Sequence, residues 1–514
     1  MAQPLLKSLY YYYRSGATIM SSIDNHEHSK FTLLGFSGKT RILHLTWLAF
    51  FMSFVVWLGL GPLMPFIKEA LDLSDQQAKV LLILNVALTI PARVVVGMLV
   101  DKYGPRIMYC AILVLGGLIS IGFAWADSYE ALALMRFLSG FIGAGFVVGI
   151  RMIGEWYPAR QTGIAQGIYG GWGNFGSAGA AMVLPVIAIN FGGDDGWRIA
   201  LTAASIAAIA YGLFYFRSVT DTPEGSTYFK PKKSGAMEIT SKGDLVLYIL
   251  MNIPLYLALG VLAWKLSPAQ MGLIGDGTTY AIYAVLLTIY LCQLWKIWQV
   301  NAHILTKPVP ELHRYKFKQV AILDWAYLVT FGTELAIVLM LAMFYVEWFE
   351  LPKITAALLA GIYPFINLIA RPGGGWLSDR IGRKLTLTIA FAGITASYLV
   401  LGMVENSWPI WLVLGMTITA GIFSQAGSGA VFAMVPLVQR RMTGQIAGMA
   451  GAYGNVGAVT FLTVNSLVSY DQFFLFIGIV AGLVFALILF FLDEPKGQIA
   501  ETMPDGTVKM IDIK

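Results

Sequence analysis

The sequence predicts an all-α membrane protein whose helices cross the bilayer many times. Of its 514 residues, 57% are hydrophobic and only 12% are charged, whereas soluble proteins carry roughly 25% charged residues. Apolar runs of about 20 residues, the length that spans a bilayer core, recur along the whole chain. Because these runs are continuously apolar, and because backbone groups in lipid must bond within their own segment, we expect helices and not a barrel.

Twelve core spans are expected in two sets of six, with two further apolar segments between the sets. The first set is predicted near residues 42–66, 77–100, 106–126, 130–153, 161–190 and 197–216, and the second near 319–345, 353–377, 384–404, 408–437, 444–469 and 472–492. The additional segments, 245–264 and 279–300, form either a transmembrane hairpin or two helices that lie on the membrane. The expected organisation is an N-terminal arm (1–40), a first half (41–217), a cytoplasmic linker with the two segments (218–318), a second half (319–492) and a tail (493–514).

The distribution of basic residues predicts the orientation of the chain. Lys and Arg concentrate in the loops on one side of the predicted spans, as at Lys102, Arg106, Arg380, Arg440 and Arg441. Because cytoplasmic loops of membrane proteins are enriched in Lys and Arg, this side is expected to be cytoplasmic, together with both termini. No cleavable signal is recognised in residues 1–40, so the first span is expected to act as the targeting signal. The two cysteines both lie in predicted spans and indicate no disulfide framework.

The two halves of the chain are repeats of one another. Residues 97–106 match residues 375–384 at an offset of 278, and Arg93 matches Arg371 at the same offset. After Pro158, which matches Pro436, the offset becomes 281, so a three-residue insertion is expected in a cytoplasmic loop. Two six-helix halves in parallel repetition are typical of a carrier whose binding site lies between them.

The loop after the second span of each half has the pattern G-x-L-x-D-[KR]-x-G-x-[KR], which resembles the signature of the major facilitator superfamily. Its glycines allow close helix approach and a tight turn, and its aspartates can cap or pair with neighbouring helix ends. The alternative, a chance basic loop, explains two copies poorly. We expect these residues to work on contacts between helices during conformational switching, and not on substrate: Gly97, Asp101, Arg106, Gly375, Asp379, Arg380 and Arg383.

Arg93 and Arg371 each interrupt an otherwise apolar helix. An arginine in the middle of a membrane helix costs about 2.5–3.5 kcal/mol on insertion scales, so it usually faces a cavity and a partner. The alternative is that each side chain snorkels to the cytoplasmic interface, one turn away. Two facing guanidinium groups between the halves would bind a small anion, because the donor fork of arginine matches two oxygens of a planar oxyanion.

A glycine-rich helix with one asparagine occurs in both halves. Residues 167–176 (GIYGGWGNFG) and 448–457 (GMAGAYGNVG) share four glycines and an asparagine at the offset of 281. Glycines at this spacing let membrane helices pack closely, which is also the simplest explanation for them. A buried amide needs a partner in hydrocarbon, however, so Asn174 and Asn455 are candidate donors to an oxyanion in the central cavity.

These motifs together resemble the nitrate/nitrite porter family of the major facilitator superfamily. The likeness rests on G-x-x-G-x-x-G-N-x-G in spans five and eleven and on an arginine in spans two and eight. It implies that Arg93 and Arg371 bind nitrate, that Asn174 is a donor in the cavity, and that Tyr327 contacts the substrate. It also implies that Phe54 and Phe146 sandwich the flat anion, although either ring would equally suit packing against lipid.

Glu334 is a further charge inside the predicted membrane region. The segment around it resembles the Phe-Gly-x-Glu-Leu segment of algal and plant nitrate transporters. A carboxyl group in a low-dielectric cavity can carry a proton, so Glu334, together with Asp324, is a candidate for coupling transport to protons. The alternative for Glu334 is a static ion pair with Arg136 or another basic residue.

The function expected from the sequence is transport of nitrate and nitrite by alternating access, coupled to proton import. Nitrate/nitrite exchange, transport of another small monovalent anion, and a nitrate-sensing receptor are the alternatives. No nucleophile constellation, phosphate loop or zinc-ligand spacing is recognised, so neither an enzyme, a cofactor nor a metal site is expected. The expected partners are the anions, protons and the lipid bilayer, without nucleic acid, for a monomeric transport unit in the plasma or bacterial inner membrane.

Overall fold

The computed structural model describes residues 33–191, 193–228, 230, 235–270, 272, 274–306, 309, 314–351, 353–495, 498–502 and 508–512. Most of the predicted N-terminal arm, residues 1–32, lies outside this part of the chain. Within it, the prediction of an all-helical membrane protein is confirmed, because nearly all residues between 38 and 491 are in helices.

The first half contains nine α-helices in the order of the predicted spans. They are α1 (Gly38–Leu58), α2 (Leu60–Ala70), α3 (Asp75–Tyr103), α4 (Pro105–Ala124), α5 (Tyr129–Ser139), α6 (Gly145–Trp156), α7 (Ala159–Asn174), α8 (Gly176–Asn190) and α9 (Gly196–Ser218). A 3-10 turn at Gly140–Ala144 joins α5 to α6. The pairs α1–α2, α5–α6 and α7–α8 each replace one predicted span, because a short break at Gly59, at the 3-10 turn or at Phe175 divides the helix.

The second half follows two additional helices, and a different one of its predicted spans is divided. The additional helices are α10 (Lys242–Leu266) and α11 (Asp276–Asn301), and the second half consists of α12 (Phe317–Phe349), α13 (Lys353–Phe365), α14 (Asn367–Ile381), α15 (Arg383–Leu401), α16 (Ile410–Val438), α17 (Thr443–Asn465) and α18 (Tyr470–Phe491). The break between α13 and α14 follows Pro364, which has no backbone N–H to donate and crowds the carbonyl group four residues earlier.

Eleven helical segments of the described chain are long and apolar enough to cross a membrane. Nine belong to the twelve predicted core spans, and two are the additional helices. The three remaining core spans are α3, α13–α14 and α17, which carry Arg93, Arg371 and the second glycine motif.

The additional helix α10 runs alongside the second half for its full length. At its start, the rings of Tyr248 and Phe317 have centroids 5.1 Å apart. Further along, Tyr453 Oη on α17 donates a hydrogen bond of 2.7 Å to the backbone oxygen of Met251. At its end, Lys265 Nζ donates to Ser466 Oγ, beyond the end of α17, over 2.9 Å. Helix α10 therefore packs lengthwise along α17.

Two strands form a small antiparallel hairpin in the tail, where the sequence predicted only a polar segment. Residues Gln498–Thr502 (β1) pair with Val508–Asp512 (β2), with Gln498 opposite Asp512. The segments are five residues each. Strands this short carry little periodicity in the sequence, which explains why they were not predicted.

The halves meet where a glycine-rich helix of one half crosses the arginine-bearing helix of the other. Helix α7 packs on α14, where a methyl group at Gly163 would overlap the backbone oxygen of Gly375. Helix α17 packs on α3, where a methyl group at Gly97 would overlap the backbone oxygen of Gly444. These backbone-to-backbone contacts bring Arg93 and Arg371 to the plane between the halves.

Candidate substrate site between the two halves

Arg93 and Arg371 are both fully buried at the interface between the halves. Their side chains are 0% and 1% exposed, respectively. A snorkelling arginine would keep its guanidinium group at the membrane surface, so the buried positions argue against that alternative. Both guanidinium groups also lie over the same two aromatic rings, Phe146 of the first half and Phe331 of the second, at 5.1–5.9 Å from the ring centroids.

The hydrogen bonds of Arg93 connect the two halves. Nε donates to the backbone oxygen of Gly143 over 3.2 Å, within the first half. Nη1 donates to the backbone oxygen of Gly451, in the glycine motif of the second half, over 2.6 Å. The guanidinium group is therefore held from both sides, with Cζ over the rings of Phe146 and Phe331.

Arg371 has an acidic partner and a free donor. Nη2 donates to Tyr327 Oη over 2.9 Å, and Nη1 lies 3.8 Å from Glu334 Oε2 in an ion pair. The Nη1 atom is buried and has no hydrogen-bond partner among the described residues. A guanidinium group with one N–H group free can bind an oxyanion without first breaking a hydrogen bond.

Glu334 is the counter-ion of Arg371 and not of Arg136. Its Oε1 accepts a hydrogen bond of 2.6 Å from Asn367 Nδ2. Arg136 instead donates to the backbone oxygens of Leu81 and Trp57, each over 3.0 Å. The two site arginines and this glutamate leave one net positive charge in a buried site, which matches one monovalent anion.

Each glycine motif makes room for the arginine of the opposite half. An ideal Cβ atom at Gly170 would lie 2.8 Å from Arg371 Nε, and one at Gly451 would lie 3.1 Å from Arg93 Cδ. Three residues further along, a Cβ atom at Gly454 would lie 2.8 Å from the rings of Tyr327 and Phe331. The glycines thus serve packing, and what they pack against is the candidate site.

The two predicted asparagines have different surroundings. Asn174 is 6% exposed, and its Nδ2 atom has no hydrogen-bond partner among the described residues. Asn455 Nδ2 donates to the backbone oxygen of Gly451 over 3.3 Å, the same oxygen that accepts from Arg93. Asn174 therefore has a free donor, whereas the amide nitrogen of Asn455 is used to support the position of Arg93.

The aromatic residues form one cluster around the arginines, with Phe54 at its edge. Phe146 and Tyr327 lie parallel, with centroids 6.1 Å apart and 1° between planes. Phe54 packs on Phe50 at 4.4 Å, and Phe50 in turn lies 5.3 Å from Phe146. The structure thus brings Phe146 and Tyr327 to the guanidinium groups and places Phe54 one ring further away.

Two aromatic residues of the cluster were missed in the sequence. Phe331 lies over both arginines and is parallel to Tyr327 at 5.0 Å. Phe432 stands perpendicular to Phe146 and Tyr327, at 4.6 and 4.7 Å. The spacing of four residues between Tyr327 and Phe331 was a usable signal, because it places both on one helix face. Phe432 lies in a continuously apolar helix and offered none.

The aspartates of the switch loops cap helices of the opposite half. Asp101 accepts hydrogen bonds from the backbone N–H groups of Gly444 and Gln445, over 2.9 and 2.8 Å. Asp379 accepts from those of Gly163 and Ile164, over 3.0 and 2.9 Å. A carboxylate at a helix N-terminus satisfies free N–H groups and complements the helix dipole. These two symmetric contacts hold the halves together at the end where the switch loops lie.

The arginines of the switch loops divide into two groups. Arg383 Nη2 lies 3.5 Å from Asp379 and so supports that cap. Arg106 instead donates from Nε to the backbone oxygen of Phe216 over 2.7 Å, and Arg380 lies over the ring of Trp376 at 4.9 Å. Arg106 and Arg380 therefore bind within their own halves.

Charged side chains form a second set of contacts between the halves at the same end. Arg151 lies 3.0 Å from Glu155 and 3.6 Å from Asp101, within the first half. Glu155 also lies 3.5 Å from Arg440 of the second half. The pair of Arg151 and Glu155, at i and i+4, is thus part of a network that joins the halves.

The comparisons with known proteins agree with this architecture. The family model described as Major Facilitator Superfamily matches residues 46–305 and 323–512. The nitrate/nitrite transporter NrtP of Nostoc punctiforme is 44% identical over 475 residues, which cover 91% of this chain and 95% of that protein. The NrtP protein of Picosynechococcus sp. is 43% identical over 510 residues, with the same coverage. The high-affinity nitrate transporter 2.3 of Oryza sativa is 27% identical and covers 81% of this chain and 70% of its own length.

Among solved structures, a proton:xylose symporter of the same superfamily, XylE, matches with a TM-score of 0.60 at 15% identity. The match covers 89% of this chain and 96% of that protein. At this identity the likeness concerns the fold alone. The family model and the two relatives above 40% identity carry the assignment, and the paired arginines and doubled glycine–asparagine motif agree with it. The chain belongs to the major facilitator superfamily and, within it, to the nitrate/nitrite porter family.

Proposed function

We propose that this protein carries nitrate and nitrite across a membrane by alternating access, with protons as the coupled ion. The observation that carries the proposal is the pair of fully buried arginines, one from each half, over the same two aromatic rings. A carrier needs a site that both halves share, because the site must be exposed to each side in turn as the halves rock.

The site suits a flat monovalent anion for three reasons. Guanidinium forks bind two oxygens in one plane, and aromatic faces accept a planar, weakly hydrated ion. Sulfate is tetrahedral, so its oxygens cannot all lie in the plane that a guanidinium fork and an aromatic face define. Asn174, one helical turn after Gly170, supplies a further free donor. The names of the relatives, which are nitrate/nitrite transporters, support the same substrates.

Glu334 gives the site a means of coupling anion binding to a proton. Nitrate that approaches Arg371 competes with the Glu334 carboxylate for the same guanidinium group, 3.8 Å away. A carboxylate that loses its counter-ion in a buried site is stabilised by a proton. Nitrate and a proton would then enter together. Nitrate/nitrite exchange is the alternative, since exchange requires no group that binds protons.

The membrane potential sets the number of protons. Moving one elementary charge across 100 mV requires about 2.3 kcal/mol, and an inside-negative potential opposes nitrate entry. If this potential drives import, at least two protons must accompany each nitrate. We therefore infer symport with a net inward positive charge, by a monomeric unit in the cell membrane whose termini are both cytoplasmic.

The cytoplasmic caps supply the conformational switch. Asp101 and Asp379 each bind two backbone N–H groups of the opposite half, and Arg440 pairs with Glu155 across the same surface. The site can open to the cytoplasm only after these contacts separate. We infer that the binding of anion and protons is what makes this separation favourable.

Uptake of labelled nitrate by purified protein in proteoliposomes tests the proposed function. We expect nitrate and nitrite to compete fully, and sulfate and small monocarboxylates not to compete at equal concentration. Competition by monocarboxylates alone would indicate a carrier for another anion. Nitrate binding without any uptake would indicate the receptor.

A further inference from the structure

Asp324 is a buried carboxyl group with no counter-ion. Its side chain is 0% exposed, and neither carboxyl oxygen has a hydrogen-bond partner among the described residues. It belongs to none of the ion pairs found in that part of the chain. Glu334, in contrast, is paired with Arg371 and bonded to Asn367. An ionised Asp324 would be an unpaired charge out of contact with water, and such a charge is strongly disfavoured.

The position of Asp324 links it to the candidate site. Asp324, Tyr327, Phe331 and Glu334 follow one another on α12 at spacings of three, four and three residues. Side chains at these spacings form one stripe along a helix. Tyr327 and Phe331 contact the arginines, so the two acids lie at the two ends of the stripe that contacts the site. Asp324 is the acid nearer the predicted cytoplasmic end of α12.

The additional helix α10 covers Asp324. The titratable groups that interact electrostatically with it from neighbouring helices are Tyr248 on α10 and Tyr453 on α17. Of the other helices packed on α12, α16 and α17 have no charged residue, whereas α13 has Lys353 and α18 has Asp471, both at the opposite end of α12. No described cation on these helices therefore lies beside Asp324, and α10 packs on the same helix.

A small cavity lies between Tyr248, which interacts with Asp324, and the helix end that Asp101 caps. Tyr248 and Asn252 of α10 line a cavity of about 10 Å³ together with Gln445, and a volume of roughly 10–15 Å³ holds one water molecule. The backbone N–H of Gln445 is one of the two that bond to Asp101. Through these groups, the surroundings of Asp324 connect to the contact that must separate when the cytoplasmic side opens.

We propose that Asp324 is a second proton-binding carboxyl of the transport cycle and that α10 shields it. This inference rests on the proposed function, and it supplies the second proton that a potential-driven importer of a monovalent anion requires. Glu334 binds one proton when nitrate takes its place at Arg371, and Asp324 binds the other. Both are released when the cytoplasmic caps separate, so one net positive charge enters with each nitrate.

Charge movement in proteoliposomes on a solid-supported membrane tests the proposal. A nitrate jump should give an inward positive current in the wild type. In Asp324→Asn, the current should fall at least tenfold, while nitrate counterflow stays within about twofold of wild type. Asp324→Glu should restore the current. The matched control is Asp493→Asn, because Asp493 is an acid paired with Lys316 at the surface, and its current should be unchanged.

Three results would overturn the proposal. They are a wild-type current in Asp324→Asn, a loss of counterflow together with the current, and electroneutral transport by the wild type. If Asp324→Asn does not fold, Tyr248→Phe replaces it, and an unchanged pH dependence of the current in that variant would also overturn the proposal. Failure of the proposed function is distinguishable, because the wild type would then show no nitrate counterflow at all.

Discussion

The backbone oxygen of Gly451 accepts a hydrogen bond of 2.6 Å from Nη1 of Arg93, so the second half holds the arginine of the first. The reciprocal contact is steric, because Gly170 of the first half lies against Arg371 of the second. The geometry of both guanidinium groups thus depends on how the two halves are docked. A substrate that binds both arginines therefore acts directly on the docking of the halves.

Gly170→Ala should weaken nitrate binding more than Gly451→Ala. The added methyl group would lie 2.8 Å from Arg371 Nε in the first case and 3.1 Å from Arg93 Cδ in the second, and only the shorter distance forces the guanidinium group itself to move. We expect the Kd for nitrate, measured by calorimetry, to rise about tenfold or more in Gly170→Ala. Gly415→Ala is the control, because nothing lies within 4 Å of that position. An unchanged Kd in Gly170→Ala would contradict the steric argument.

Glu334→Gln should separate nitrate binding from proton coupling. The substitution removes the negative charge that competes for Arg371 and keeps an amide of similar shape. We expect counterflow of nitrate to continue, whereas accumulation driven by a pH gradient falls, because only Asp324 still carries a proton with each nitrate. Glu347→Gln is the matched control, since Glu347 accepts a hydrogen bond from Tyr470 away from the arginines. Full pH-dependent accumulation in Glu334→Gln would remove Glu334 from the coupling mechanism.

Asp101→Asn and Asp379→Asn should open the cytoplasmic side. Each carboxylate accepts two backbone hydrogen bonds across the interface, and a bond to a charged group contributes about 1.5–3 kcal/mol. Spin labels can be placed at Tyr103 and Ile381, which are exposed at the ends of α3 and α14. The distance between them, measured by double electron–electron resonance, reports the separation of the halves. We expect a population at longer distance in both variants, in a background without Cys110 and Cys292. Distance distributions identical to the unsubstituted background would show that these caps do not control opening.

Phe432→Ala should loosen the aromatic cluster without touching a charged group. The ring stands perpendicular to Phe146 and Tyr327, and replacing a buried Phe by Ala destabilises proteins by about 3–5 kcal/mol. We expect a lower melting temperature that nitrate restores only in part, together with weaker nitrate binding. Phe490→Ala provides the comparison, because Phe490 is 72% exposed on α18. Equal effects of the two substitutions would mean that the cluster has no special role.

The internal repeat is what made much of the site predictable. An arginine at matched positions in both halves, and a glycine–asparagine motif at a constant offset, predict groups that face each other between the halves. The structure accordingly brings Arg93, Arg371, Phe146 and Tyr327 together. The different surroundings of Asn174 and Asn455 were not predictable. The sequence repeats both the asparagine and the glycine four residues before it, yet Asn455 Nδ2 bonds to its glycine and Asn174 Nδ2 has no partner among the described residues.

Other features have no signal in the sequence because they arise from packing between apolar helices. Phe432 and α10 both belong to continuously apolar segments, in which periodicity does not show which face meets protein and which meets lipid. The ion-pair partner of Glu334 could not be predicted either, because an ion pair within the membrane depends on which helices become neighbours. The break at Ile366 was not predicted within the span 353–377, and the contact of the adjacent Asn367 with Glu334 is visible only in the fold.

The most direct test of the arginine site is counterflow of labelled nitrate by the purified protein with Arg371→Lys, compared with wild type. Lysine keeps the positive charge but is a point charge without the planar donor fork. Arg314→Lys is the control, because Arg314 is exposed in the linker and donates to the backbone oxygen of Val309, outside the site and the switch loops. We predict that Arg371→Lys reduces counterflow at least tenfold while Arg314→Lys retains it. Wild-type counterflow in Arg371→Lys would contradict the proposal that nitrate is bound by paired guanidinium groups.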